Sequence, residues 1–406
     1  MMKTLETICS YRNEKANATS IKAEDLYIST ESMGPNRSGA SRATSVPSEG
    51  KVSCFHSGDT LVSNIRPYFK KIWNADRDGY CSNDVLVFQP GQNCGADYLY
   101  WLICDDAFFD YVMATSKGTK MPRGDKTAIM SYAIPSNNEM TQRNIASIMN
   151  PIQAKIEANT RLNGYLEELS NSVFVNWVNN YSNGMPFASL MPAPEYKSLD
   201  ELCLKVTDGS HNSPKVDPNG IHPMLSVKDM RRYGFDYSSC KLISRCDFEA
   251  MLANDCVPKI DDILVAKDGS YLKEIFITNV PREEAVLSSI AIFRPNSQVI
   301  SPELLLRYLK HPMILKLVAD NFVSGSALPR IVLKDFKKLQ LLVPPHDTQE
   351  EITTKLKNIR NLIAVNVEES AQLEKIRDAL LPKLMTGEID VSKVDLTQLN
   401  SHLDDC

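Results

Sequence analysis

No Gly-x-x-x-x-Gly-Lys-Ser/Thr loop occurs in the 406 residues, so the usual cradle of a nucleotide hydrolase is missing. Histidine is scarce: six residues, none in His-x-x-x-His or His-Glu-x-x-His spacing, and no metal site is expected. Ten cysteines include no Cys-x-x-Cys pair, and the nearest two, Cys240 and Cys246, have no histidine at zinc-finger spacing. Idle or buried thiols in a reducing, cytoplasmic compartment are the expectation. No apolar run approaches a membrane span, and Met1–Glu6 has no signal core. A base methyltransferase needs a glycine-rich cofactor loop and an Asn/Asp-Pro-Pro-aromatic run. Asn150-Pro151-Ile152-Gln153 lacks the second proline and the aromatic. Asp208-Gly209-Ser210-His211 sets three triad residue types in one loop, but triads assemble in space rather than along a loop. No catalytic residue is expected.

What is present is the composition of a globular chain, 43% hydrophobic and 23% charged, with a net charge of −5. The sign argues against a protein that coats nucleic acid through general basicity. It leaves room for cations confined to one face.

The chain is written twice. Asp59-Thr60-Leu61-Val62 returns as Asp262-Ile263-Leu264-Val265 after 203 residues, and Val87-Phe88-Gln89-Pro90 as Ile292-Phe293-Arg294-Pro295 after 205. Lys117–Arg123 returns as Ser324–Arg330 after 207, as does Thr141-Gln142 as Thr348-Gln349. So long a period means two copies of a domain plus a helix, not a solenoid. Each copy reads as short strands (Gly58–Ser63, Ser82–Phe88 and Ala128–Ile134; then Leu202–Asp208, Asp262–Ala266, Ser289–Phe293 and Leu339–Val343) with one helix, Gly95–Ala114 or Pro302–Val318.

A heptad seam follows each copy. Ile145, Ile152, Asn159, Leu166 and Val173 stand seven apart, with Met149, Ile156 and Ser170 between them. Ile352, Ile359, Asn366, Leu373 and Leu380 repeat the series, with Leu356, Ile363, Ser370 and Leu384. This spacing predicts a coiled coil. Asn159 and Asn366 interrupt both seams at the same place, and a polar residue there fixes register. If the helices pack antiparallel about a pseudo-twofold, the two amides are expected to approach each other across the seam; the alternative is that both face solvent beside a wider apolar stripe. Pro151 should kink or restart the first helix, and the second, with Asn358 there, should run straighter.

The remaining polar residues recur in matching loops. Asn64, Arg66, Tyr68, Lys70 and Lys71 follow the strand at Leu61; Lys267, Ser270 and Tyr271 follow the strand at Leu264. Lys117, Lys120, Arg123 and Arg330 lie on the loops repeated at 207, and His211, Asn212, Lys215, Lys228 and Arg231 add to the second copy. Such side chains read base edges and grip phosphates. Recurrence is the argument for function, because surface decoration has no reason to repeat. Arg123 and Arg330 have an alternative role, pinning the loop after the shared proline.

These segments carry a family likeness. Leu380-Leu381-Pro382-Lys383-Leu384-Met385-Thr386-Gly387-Glu388-Ile389-Asp390-Val391 resembles the C-terminal signature of the specificity subunit of Type I restriction–modification systems. Tyr27–Met33, Ser63–Lys71 and Cys81–Val87 resemble its first target-recognition domain, and Thr207–Lys215 and Val265–Ser270 its second. The resemblance implies an α+β fold with an internal pseudo-twofold repeat. Recognition domains at 1–138 and 183–345 would be separated by an antiparallel coiled coil of helices at 139–182 and 346–386, with a tail at 387–406. It also implies a non-catalytic, DNA-binding subunit whose domains each read half of a bipartite site. Two methyltransferase (modification) subunits would bring S-adenosylmethionine, no cofactor residing in this chain, and a motor-nuclease subunit would complete the enzyme. The alternative is a coiled-coil assembly scaffold with degenerate heads.

Overall fold

The computed structural model describes residues 3–182, 195–269, 272–279, 282–324 and 329–394. It divides into two units, residues 1–159 with 369–406, and residues 160–368. Helix and sheet are mixed in both, an α+β fold.

In the first unit a four-stranded antiparallel sheet is built from β1 (Cys9–Tyr11), β2 (Thr60–Ser63), β3 (Ile72–Asn74) and β4 (Val85–Pro90), in the order β1-β4-β2-β3. Helices α1 (Ala96–Cys104) and α2 (Asp106–Ala114) cover it, with Trp101, Phe108, Phe109 and Phe88 fully buried. Each such side chain contributes roughly 1.5–3 kcal/mol of transfer free energy. The single helix expected over Gly95–Ala114 is broken at Asp105, whose carboxylate accepts from Ala107 N and so caps α2. The strand expected over Ala128–Ile134 is corrected too. Asp125 caps a short helix, Lys126–Met130, by accepting from Thr127 and Ala128, and only Ala133–Ile134 is extended. The long helix α3 (Glu139–Ser182) follows.

The second unit repeats the plan with β5 (Cys203–Asp208), β6 (Ile263–Ala266), β7 (Ile275–Ile277) and β8 (Ile290–Pro295), in the order β5-β8-β6-β7. Helices α4 (Pro302–Lys310) and α5 (Pro312–Asn321) cover it, separated at His311, which caps α5. The second long helix, α6 (Glu350–Thr386), begins after a 3-10 turn at His346–Thr348. A second sheet with one parallel pairing accompanies each main sheet, four-stranded in the first unit and three-stranded in the second.

One device recurs with different parts. Asp59 and Asp262 are fully buried, and each accepts from the amide three residues earlier, His56 or Lys259, at 2.8 Å. Each is also held by a two-pronged arginine. Arg12, just after β1, holds Asp59 at 2.6 and 2.9 Å, whereas Arg294, on β8, holds Asp262 at 2.8 Å twice. The position matching Arg294 in the first unit is Gln89. The buried carboxylate is thus neutralised from different strands.

Where they touch, α3 and α6 run antiparallel. In the first unit Arg377 donates to Gln153 at 3.1 Å, and Asn159 donates to Glu369 and Ser370 at 2.8 and 3.3 Å. In the second unit Asn366 donates to Asn163 at 2.8 Å. Numbers rise on one helix as they fall on the other. The innermost residues of α3 are Ile145, Met149, Gln153, Ile156 and Asn159 in the first unit, and Asn163, Glu167, Ser170 and Phe174 in the second. Their mean spacing is about 3.6 residues, that of a straight helix. Gln153, Glu167 and Phe174 therefore take the places expected for Ile152, Leu166 and Val173, which are half-buried. The expected restart at Pro151 does not occur. Met149 is in the core, and Asn150 is tied to Trp101 and Asp97 at 2.7 and 2.8 Å, so tertiary contacts carry the helix through the missing N–H. The second helix holds a proline too, Pro382, near its end.

Candidate nucleic-acid interface

The loops singled out by recurrence are clamped in the same way in both units. In the first, Arg66 N donates to the Pro122 carbonyl at 2.8 Å, Ile65 forms a bridge with Arg123, and Lys117 and Arg123 exchange two backbone bonds of 2.9 Å. In the second, Gly269 N donates to the Pro329 carbonyl at 2.9 Å, Asp268 forms the bridge with Arg330, and Ser324 pairs with Arg330. One strand-following loop is stapled to one proline loop, with the shifts of 203 and 207 residues preserved on the two sides.

The first unit gathers most of its candidates here. Arg66 and Lys70 adopt the left-handed conformation on either side of a 3-10 turn at Pro67–Phe69, which turns Tyr68 outward, 46% exposed, against Phe69 at a ring spacing of 4.6 Å. Arg66 and Lys120 are exposed and hold no ion pair among the described residues. Lys117 and Arg123 are exposed but paired, with Asp125 at 2.6 Å and Asp84 at 3.1 Å. Lys70 is engaged with Asp106 at 2.7 Å. Lys71 donates to the Thr30 carbonyl and lies over the Phe69 ring, and burial lowers its ammonium pKa. Asn64 is half-buried beneath this surface, its N–H on the Asp84 carbonyl. Exposed surface ion pairs are weak, so Lys117 and Arg123 can exchange carboxylate for phosphate; Lys70 and Lys71 serve the loop's shape.

The second unit scatters its candidates. His211, Asn212 and Lys215 are exposed on the loop after β5. That loop starts close to the backbone: a Cβ at Gly209 would lie 2.3 Å from the Val286 carbonyl oxygen, so only glycine fits. His211 stands 3.4 Å from Asp208, while Ser210 Oγ donates to the Asn212 carbonyl, so no triad forms. Lys267 is a correction to the surface reading: it is 7% exposed and paired with Asp208 at 2.8 Å, holding the floor of the loop. Lys228 and Arg231 lie about a hairpin, with Arg231 on Asp236 at 2.7 Å. The next two residues turn to α3, Arg232 to Glu167 and Tyr233 to the Asn163 carbonyl. Arg330 is exposed; Ser270 and Tyr271 lie outside the described residues.

The sequence reading missed the polar inner residues Gln153, Asn163, Glu167 and Arg377. Asn163 and Arg377 do fall on the heptad series, and that was their only signal. Among the described residues no group of three His, Cys, Asp or Glu could hold a metal, and no helix is long and apolar enough to cross a membrane.

A duplicated α+β body with loops clamped alike in both copies defines a protein built of two matching domains. Residues 195–375 match the family described as Type I restriction modification DNA specificity domain. The Type I restriction enzyme MjaIX specificity subunit of Methanocaldococcus jannaschii is 25% identical over 323 residues, 75% of this chain and 72% of that protein. The HindI specificity subunit of Haemophilus influenzae is 22% identical over 414 residues, 86% and 90% of the two chains. The crystal structure of the Type-I restriction-modification system S subunit from M. genitalium shares the fold, with a TM-score of 0.53 at 15% identity over 95% of this chain and 96% of that one. Over these stretches the chain is similar to Type I restriction–modification specificity subunits.

Proposed function

We propose that this chain is the DNA-reading, non-catalytic subunit of a Type I complex, each head gripping one half of an asymmetric bipartite duplex site. The observation that carries this is the equivalent clamp, Arg66 on Pro122 and Gly269 on Pro329, beneath loops of unlike sequence. A shared frame with different surface residues suits two different half-sites. Arg66, Tyr68, Lys117, Lys120 and Arg123 form the contact surface of the first head; His211, Asn212, Lys215 and Arg330 contribute to the second.

The helices set the spacing and receive two modification subunits. A helix of 44 residues rises about 66 Å, against roughly 34–36 Å for one DNA turn. In the second unit Asn163, Glu167 and Ser170 on α3 lie inside along with Phe174 and the apolar Ile352, Leu356, Ile359 and Ile363 of α6, while Leu162, Tyr165 and Leu169 on α3 and Leu362 and Val365 on α6 are exposed. Apolar stripes turned outward call for a partner surface. The modification subunits bring S-adenosylmethionine, a motor-nuclease subunit completes restriction, and the complex works in the cytoplasm.

The same stripe favours a second reading, an assembly scaffold whose heads have lost base reading. Footprinting of the chain with its modification subunits decides between them. Protection of a split sequence supports the reader; salt-sensitive binding with no sequence preference supports the scaffold.

A further inference from the structure

In the second unit, between α3, the end of α4, the end of β7 and α6, lies a cavity of about 60 Å³. Four cations line it, Arg232, Arg307, Lys310 and Arg360, against two lining carboxylates, Glu167 and Glu303, and Asp261 beside Arg360 leaves a surplus of one positive charge. Glu167 is already shared three ways, at 2.9 Å from Lys310, 3.4 Å from Arg307 and 3.5 Å from Arg232. Arg307 spends a further N–H on Asn171 at 3.0 Å. Arg360 is bound through its terminal nitrogens to Glu303 at 2.9 Å and to Asn279, with Asp261 at 3.5 Å. Its Nε is buried with no acceptor among the described residues.

A buried donor on a charged group without a partner costs roughly 1–3 kcal/mol or more, and unbalanced charge out of water costs further. Both deficits have one remedy, an acceptor-only, negatively charged guest. The cavity has room for a few waters or one compact anion, and is too small for a nucleotide. Arginine's planar fork also suits oxyanions with several equivalent acceptors.

We infer that this cavity binds a small tetrahedral oxyanion of the phosphate or sulfate class, held by Arg360, Arg307 and Lys310. The guest accepts from Arg360 Nε and offsets the surplus charge. It thereby stiffens the joint between α3 and the second head, whatever sequence that head reads.

The test is thermal unfolding of the full-length chain in chloride-free buffer, titrated with inorganic phosphate or sulfate at fixed ionic strength. The wild type should gain stability saturably, and Arg360→Gln and Lys310→Met should each weaken the half-saturation concentration at least tenfold. An equal gain in wild type and variants would assign the effect to other surfaces and overturn the site. Should a variant fail to fold, wild-type crystals soaked in selenate give the second measurement. An anomalous peak in this cavity is expected, and water alone in it refutes the proposal.

Discussion

Asn366 donates to Asn163 Oδ1 at 2.8 Å between the inner faces of α6 and α3, where a coiled coil ordinarily places leucine. Neither amide is an accident of composition, because Gln153 with Arg377 and Asn159 with Ser370 repeat the theme in the first unit. Hydrogen bonds, which are directional, hold the middle of each helix against sliding more firmly than interchangeable methyl groups do. Asn366→Leu leaves Asn163 buried without its partner and should cost about 1–3 kcal/mol. The double change Asn163→Leu with Asn366→Leu should recover most of that loss while admitting a helix pair shifted by a turn. Denaturant unfolding reads the first effect, and cross-linking of cysteine pairs placed across the helices reads the second. A double variant as destabilised as the single one would count against this role.

Glu167 provides the pH signature. Burial raises its carboxyl pKa, but Lys310, Arg307 and Arg232 more than reverse that and hold it down to about 2, from an ordinary 4.5. A depressed folded pKa gives stability that is present above the unfolded value and lost as pH falls through the folded one. The window therefore runs from about 4.5 down to about 2 and is worth about 3 kcal/mol. Unfolding free energy followed over that range should fall more steeply in the wild type than in Glu167→Gln, and parallel curves would show that the carboxylate is not so held.

Lys267 and Arg66 occupy neighbouring places in the repeat but should fail differently. Lys267→Met strands Asp208 beside a buried methionine and should destabilise the chain by about 3–5 kcal/mol. Arg66→Ala should leave the melting curve within about 0.5 kcal/mol of wild type. It should instead weaken DNA binding and lower the salt dependence by about one unit of slope. Paired melting and salt-titrated binding measurements separate the two. An Arg66→Ala protein that binds as wild type does removes that loop from the interface.

Tyr165→Glu and Leu162→Lys place charge on the exposed stripe of α3. The isolated chain should unfold as before, since these side chains are already in water, whereas co-purification with modification subunits should be lost. Retained assembly would move the docking surface elsewhere.

The duplication, the two long helices and the strand at each aspartate were legible because they are periodic or recurrent. Asp59 and Asp262 align in the sequence, yet their arginines do not, since Arg12 follows β1 in the first sheet whereas Arg294 lies on β8 in the second, places that do not correspond. Lys267 read as a surface cation because composition cannot show that Asp208 closes over it at the end of β5. The stretch Ala128–Ile134 has strand-like side chains, but the Asp125 cap commits its first half to a helix. The one-residue drift that puts Glu167 rather than Leu166 inside follows from a straight helix, and only the cations of the second head make that carboxylate affordable. The surface candidates were found by recurrence, which locates loops but does not distinguish a free cation such as Arg66 from a spent one such as Lys70.

The central claim is that two heads read two half-sites at a distance set by the helices. The most direct test maps modified bases in DNA treated with the assembled modification complex, before and after seven residues are inserted into both α3 and α6. Seven helical residues add about 10 Å, or about three base pairs at roughly 3.4 Å each. The account predicts unchanged half-sites separated by a correspondingly longer gap. An unchanged gap, or a single uninterrupted recognition sequence in the parent, would contradict it.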